Sequence, residues 1–358
     1  MRKKVWQWTG MNEVTSSTAE REQPGSGEAE IRIASIGICG TDLHIMSGHA
    51  GFGAPPLPLG HELAGVVERI GPGVDGWQPG DRVCIDPLIG CGVCRECLAG
   101  NKHRCAQAGE IGLHYPGGWQ EYLVVPAANL YRLPDAVGFE EATQAETLHC
   151  CLGGIDKLDI RLGSHAVVIG DGPTGLYYVQ LLKAAGASKV TLFGMRDGRL
   201  ELGRRLGADV TVNLRSSGTV AAEAADSVAD TDTDTDTGTE TDSIAPETQD
   251  IAIDAAGNEA SLKLGIELLK RGGQLLLFGL PGHPILADIQ AVVLKELTLA
   301  GSTNAPQVWP RVLELMASGS VQVKPLITQH YPFAELDRAI AFARSEPDEA
   351  VKIIVSHS

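Results

Sequence analysis

Basic residues are in short supply in this chain: 29 Lys and Arg stand against 45 Asp and Glu over 358 residues, a formal net charge of −16. That balance excludes the phosphate-neutralising surface on which nucleic acids or anionic membranes depend. No apolar run reaches transmembrane length. The segment Met1-Arg2-Lys3-Lys4-Val5-Trp6-Gln7-Trp8 carries positive charge with no apolar stretch behind it, which argues against a secretory leader and predicts a cytoplasmic protein. Residues 221–250 lack Lys and Arg altogether and hold ten Asp or Glu, so they account for −10 of the charge and the rest of the chain for −6. The centre of that stretch, Thr231-Asp232-Thr233-Asp234-Thr235-Asp236-Thr237-Gly238-Thr239-Glu240, offers nothing that could pack. Residues 216–248 are therefore read as a solvated low-complexity loop without a binding role.

What remains is ample for two domains, since 43% of the residues are hydrophobic. The first 150 residues alternate β-branched runs with Gly and Pro, as in Glu30-Ile31-Arg32-Ile33-Ala34-Ser35-Ile36 and Gly65-Val66-Val67-Glu68-Arg69-Ile70. This predicts a mostly β domain over residues 1–150. From Gly163 the pattern becomes strand (Ala166–Ile169), Gly-rich turn, helix and strand (Lys189–Phe193), a βαβ unit. Further strands at Val210–Val212, Ile251–Asp254, Gln274–Phe278 and Leu297–Ala300 complete an α/β doubly wound parallel sheet over residues 151–305. A helix over Trp309–Ser318 and the segment Val323–Val355 return to the first domain, which thus includes residues 306–358.

Eight cysteines are present, and four of them, Cys91, Cys94, Cys97 and Cys105, are spaced so that one lobe of chain, about residues 86–106, can wrap a tetrahedral ion. This predicts reduced thiolates around a closed, structural zinc, with Cys84 a core residue. Cys39-Gly40-Thr41-Asp42-Leu43-His44 and Gly60-His61-Glu62 point to a second, open site with a Cys39 thiolate and a His61 imidazole, its third ligand coming from elsewhere. Gly170-Asp171-Gly172-Pro173-Thr174-Gly175 follows a strand and opens a helix, the setting in which such a run binds a dinucleotide pyrophosphate at a helix N-terminus. At the end of the next strand, where Asp or Glu would grip a ribose 2′-hydroxyl, stand Gly194, Met195 and Arg196. The carboxylate that would repel a 2′-phosphate is missing there and a guanidinium is present, which predicts NADP(H) over NAD(H), with Arg199 a possible helper.

Taken together, these motifs resemble the zinc-dependent medium-chain dehydrogenase/reductase superfamily, in particular its sorbitol, threonine and glucose dehydrogenase branch. The resemblance spans essentially the whole chain outside the acidic insertion. It implies a GroES-like catalytic domain joined to a Rossmann domain, and two zinc ions per chain. It also implies Glu146 as the third ligand of the catalytic zinc: Glu146-Thr147-Leu148 lies seventeen residues before Gly163, with Thr147 where relatives carry Pro and Cys150 as the fallback ligand. In the family pattern Thr41 hydrogen-bonds the alcohol oxygen, His44 passes its proton outward, and Asp42 orients His61. Glu62 is expected beside the metal, as an alternate ligand in some relatives. His149 and Cys151 are expected to pack, and His49, His103, His114, His165, His283, His330 and His357 to be structural or superficial. The implied activity is an NADP-preferring oxidoreductase acting on a secondary alcohol or ketone, with a polyol, sugar, cyclitol or amino alcohol suggested by Gly112–Tyr122, a segment similar to one in sugar-acid and polyol members. A simple alcohol dehydrogenase or aldehyde reductase fits the same motifs, and a non-catalytic dinucleotide-binding protein is the alternative outside enzymes. The family also implies a homodimer or homotetramer joined through edge strands, for which Gln274–Phe278 and Leu297–Ala300 are the candidates.

Overall fold

The computed structural model describes residues 1–48, 53–216 and 245–357. His49 and most of the acidic loop, residues 217–244, lie outside the described residues. Contacts divide the chain into two units, Met1–Gly153 with Asn304–Ser358, and Gly154–Thr303.

The first unit opens with the hairpin β1 (Arg2–Gly10) and β2 (Glu13–Glu20). Its main sheet is built from β3 (Glu28–Ile38), β4 (Glu62–Ile70) and β5 (Arg82–Ile85), while β6 (Leu88–Ile89) and β7 (Gly109–Glu110) form a separate short pair; β8 (Tyr122–Pro126) and β9 (Leu130–Arg132) rejoin the main sheet. Strand β3 recruits Ile31, Ile33 and Ile36, all fully buried, into a core shared with Leu63, Val83 and Ile85. Helices in this stretch are short: α1 (Gly40–Met46), α2 (Arg95–Leu98), α3 (Phe139–Ala142) and the longer α4 (Ala145–Ile155).

In the second unit β10 (His165–Ile169), α5 (Pro173–Ala184), β11 (Lys189–Gly194), α6 (Asp197–Arg205) and β12 (Val210–Asn213) precede the undescribed segment. Then come β13 (Gln249–Asp254), α7 (Glu259–Leu268), β14 (Leu269–Leu277), α8 (Ile289–Leu294) and β15 (Thr298–Gly301). The six strands are parallel in the order β12-β11-β10-β13-β14-β15, the doubly wound arrangement expected from the alternating pattern. Val167 and Val168 on β10, Leu192 on β11, Ile251 and Ile253 on β13 and Leu275 and Leu276 on β14 are all fully buried, as a parallel sheet covered on both faces requires. One expectation is corrected. Gln274–Phe278 does not form an edge: β14 begins five residues earlier, at Leu269, and lies between β13 and β15, so only β15 borders the sheet on that side.

The chain then returns to the first unit through α9 (Trp309–Ala317), β16 (Ile327–Pro332), α10 (Leu336–Ser345) and β17 (Lys352–Ser356). Strand β17 pairs antiparallel with β3, so residues at the far end of the sequence enter the sheet that carries the start of α1 and the first residue of β4.

Candidate functional site

Among the described residues, three groups of side chains could hold a metal ion: Cys91, Cys94, Cys97 and Cys105; Cys39, His61 and Glu62; and Glu146, His149 and Cys150. All eight cysteines are free thiols.

In the first group the four sulfurs lie within 4.8 Å of one another. Local backbone geometry aims amides at them. The N–H of Cys94 donates to Cys91 Sγ and that of Cys97 to Cys94 Sγ, both at 3.4 Å, and Gln107 N–H donates to Cys105 Sγ at 3.3 Å. Backbone donors favour the anionic form of a thiol, and those from Val93 and Cys94 hold Cys91 down to about 6. Desolvation first, and then the neighbouring thiols, push Cys97 up to about 11. Thiolates so close together repel unless a cation sits among them, and this donor set fits a tetrahedral zinc. The lobe is tied to the sheet by Lys102 Nζ, 2.7 Å from the buried carboxylate of Asp86.

The second group is assembled from separate elements. Cys39 is the N-cap of α1, and Asp42 in the first turn accepts a hydrogen bond from Cys39 N–H at 3.0 Å. That helix start places the other oxygen of Asp42, which is fully buried, 3.3 Å from His61 Nδ1. The contact leaves the opposite ring nitrogen as the ligand, and it is the kind of partner that metal-bound imidazoles use for orientation. His61 is delivered by Gly60, whose φ of +88° belongs to the left-handed region and whose absent Cβ leaves room for the Trp119 ring. Burial alone would lower the His61 pKa, but Asp42 and Cys39 outweigh it and hold it well above the usual range. A metal must displace that proton, so binding weakens in acid. Thr41 Oγ1 lies 3.6 Å from Cys39 Sγ, and His44, two helical positions further on from Asp42, is exposed.

Glu62 lies beside Cys39 and His61, but its carboxylate is already engaged. Lys352 Nζ on β17 reaches its two oxygens at 2.6 and 2.8 Å, and Thr147 Oγ1 donates to Oε1 at 2.9 Å. Both Lys352 and Glu62 are buried. Although burial would lower the Lys352 pKa, Glu62 and Cys39 raise it, so the ammonium is retained. The same Thr147 hydroxyl lies 3.5 Å from Glu146 Oε2, which puts Glu146 next to Glu62. Desolvation pushes the Glu146 carboxyl up to about 7, against the opposing pull of His61. A carboxyl held reluctant to ionise in isolation is one that a nearby cation would stabilise.

In the third group the partners of Glu146 have other engagements. His149 is buried, donates through Nδ1 to the Glu146 carbonyl, and stacks on Trp309 at 4.8 Å. Cys150 Sγ contacts Asn304 Oδ1 at 3.4 Å, and Asn304 in turn donates to Glu110 at 2.8 Å.

The second unit carries the glycine run. Gly170 closes β10 with a φ of +124°, Gly172 is the N-cap of α5, and Pro173 occupies its first turn with Thr174. A Cβ at Gly175 would strike the Gly170 carbonyl, so the helix can approach the turn only because glycine stands there. No side chain caps the start of α5, whose first amides suit a pyrophosphate. Across from it, β11 ends at Gly194, and Met195 and Arg196, which follow, are held by Asp171: its Oδ2 accepts from Met195 N–H and Arg196 N–H, both at 2.8 Å.

Sequence reasoning missed three of these residues. Lys352 is the single cation in the apolar run Val351-Lys352-Ile353-Ile354-Val355, and a charge so placed demands a buried partner. Thr147 stands out in the sequence only as a departure from Pro, and Asp171 is the acidic exception inside the glycine run.

Residues 25–135 match the family described as Alcohol dehydrogenase GroES-like domain, and residues 173–318 match the one described as Zinc-binding dehydrogenase. An L-threonine 3-dehydrogenase of Saccharopolyspora erythraea is 32% identical over 327 residues, 90% of each chain. Among solved structures, a protein classed as a zinc-binding dehydrogenase from Sinorhizobium meliloti 1021, bound to NADP, aligns with a TM-score of 0.87 at 29% identity and 99% coverage of both chains. An E. coli CFT073 alcohol dehydrogenase complexed with NADH aligns equally well, with a TM-score of 0.87 at 27% identity and 99% coverage of both.

Proposed function

This chain belongs to the zinc-binding alcohol dehydrogenase family and is an oxidoreductase, and from that premise we propose that it moves hydride between NADP(H) and a hydroxyl-rich secondary alcohol or its ketone. The observation that carries the reading is the group of Cys39, His61 and Glu62, whose ligand atoms lie within 4.8 Å of one another, with Glu62 also held by Lys352 and Thr147; Glu146, expected as the third ligand, falls instead in the group with His149 and Cys150 and meets this one through the Thr147 hydroxyl. One thiolate, one imidazole and one carboxylate suit zinc and leave a fourth position open, whereas the cysteine lobe supplies a complete second set. Bound zinc supplies Lewis-acid polarisation of a substrate oxygen, and the dinucleotide supplies the hydride acceptor.

The rest belongs to the protein. Asp42 fixes the ring of His61; Thr41, beside Cys39, takes the hydroxyl proton; and exposed His44 hands it to solvent. Gly170, Gly172, Pro173, Thr174 and Gly175 cradle the pyrophosphate, and Gly194, Met195 and Arg196 receive the adenosine ribose with its 2′-phosphate. Resemblance to a threonine dehydrogenase supports a substrate carrying more than one polar group. Retention of every metal-site donor speaks against a non-catalytic dinucleotide binder.

Association into a homodimer or homotetramer is part of the same reading. Leu286, Ile289, Val293 and Leu294, on α8 and just before it, are between 59% and 78% exposed near the edge strand β15, a face suited to a second copy.

The test is the absorbance of reduced nicotinamide with NADP+ and NAD+ in parallel, across polyols, sugars, cyclitols, amino alcohols and simple alcohols. Turnover of a hydroxyl-rich substrate with NADP+ is the expected result. Turnover confined to simple alcohols would replace the substrate class, and a preference for NAD+ would remove the assignment of Arg196.

A further inference from the structure

A carboxylate is missing from the end of β11, yet a carboxylate reaches that point from elsewhere. Asp171 is 5% exposed, and its Oδ2 sits between two consecutive backbone amides, Met195 N–H and Arg196 N–H. Its Oδ1 lies 3.5 Å from Arg196 Nη1 and 4.0 Å from Arg199 Nη1. Gly194 is what admits it: a Cβ there would stand 2.5 Å from the Cβ of Asp171. Successive amides converging on one oxygen form an anion cradle, and here the anion is the chain's own. The guanidinium that would draw a 2′-phosphate is therefore partly spoken for, by a negative charge that would repel the phosphate.

We propose that Asp171 sets the dinucleotide selectivity of the site, restraining its preference for a 2′-phosphate by occupying the two-amide cradle and neutralising Arg196. The inference rests on the reading of Gly194–Arg196 as the adenosine-ribose site. Selectivity is then a contest between Asp171 and Arg196 rather than a property of Arg196 alone. Removing the acid shifts the balance toward the phosphorylated dinucleotide whichever one the native protein favours.

Calorimetric titration of the full-length, zinc-loaded protein with 2′,5′-ADP and with 5′-AMP separates the two functions Asp171 could have. Asp171→Asn keeps an oxygen for the amides while removing the charge, and Asp171→Ser is the second variant should the first fold poorly. The expected result is a rise of about tenfold in the affinity ratio of 2′,5′-ADP to 5′-AMP, abolished in Asp171→Asn/Arg196→Ala. Equal weakening of both nucleotides, or an unchanged ratio, would overturn the proposal and leave Asp171 a brace for the turn. If the native protein binds 5′-AMP the better of the two, the NADP(H) reading fails, but the ratio must still rise in the variant for Asp171 to keep its role.

Discussion

In the cysteine lobe all four donors come from residues 91–105, they are held by amides no further along the chain than Gln107, and three of the four are only half-buried. The Cys39–His61 pocket draws on α1, the start of β4, α4 and β17, and its central charges, Asp42, Glu62 and Lys352, are all buried. The lobe needs only its own loop to form. The pocket forms only when the sheet does, because each donor is aimed by something distant: His61 by Asp42, Glu62 by Lys352. A self-contained site can saturate its ion and serve stability, whereas a dispersed one can present an ion that is incompletely satisfied, which is what an open coordination position requires.

The sharpest way to break this contrast is at Cys39. Cys39→Ser is expected to lower kcat/KM by about 10³-fold or more, a loss of about 4 kcal/mol in the transition state, and to cut zinc from two to one per chain by elemental analysis while the melting temperature falls little. Loss of both ions together would mean the sites are not independent.

Lys352→Met probes the reach of the open site. It leaves Glu62 as an unpaired buried charge, for an expected cost of about 3–5 kcal/mol in denaturant unfolding, much of it recovered in Lys352→Met/Glu62→Gln. If the double variant is no better than the single, the lysine supports the fold in some way other than through Glu62.

Cys97→Ser should remove the other zinc and lower stability by a few kcal/mol with kcat/KM per remaining active-site zinc preserved; unchanged zinc content would refute the assignment of the lobe.

The smallest effect separates proton linkage from metal loss. Desolvation holds His357, packed on Phe333 at 3.9 Å, down to about 4. Because the unfolded chain takes up this proton first as the pH falls, the group costs stability between about pH 6.5 and 4, up to about 3 kcal/mol, and nothing above that window. His357→Gln should therefore flatten the acid slope of the melting temperature relative to the native protein between pH 7 and 5, with zinc content equal in both at each pH. An unaltered slope would assign the acid sensitivity to the metal sites.

Legibility followed the same division. The lobe could be read from spacing alone, and the doubly wound sheet from the alternation of buried runs such as Ala166–Ile169 with helical segments, because both are local patterns. Cys39 and His61 were legible only through the short motifs around them. Lys352 was not, since the pairing of β17 with β3 is a tertiary fact with no local signature. Asp171 escapes for a related reason: a glycine run is read for what its glycines permit, and the motif gives the residue between them no role. The displaced start of β14 reflects Leu269 continuing directly from α7, where no Gly or Pro marks the change from helix to strand.

The pairing of Glu62 with Lys352 also sets a clock. The two residues are 290 positions apart, so on a ribosome adding 5–20 residues per second Glu62 waits about 15–60 s for its counter-charge. All of Gly154–Thr303 is synthesised within that interval and can close around its own parallel sheet. The first unit, begun earlier, is thus the one finished later, and a nascent chain halted before β17 would carry Cys39 and His61 of the pocket without the strand that completes it.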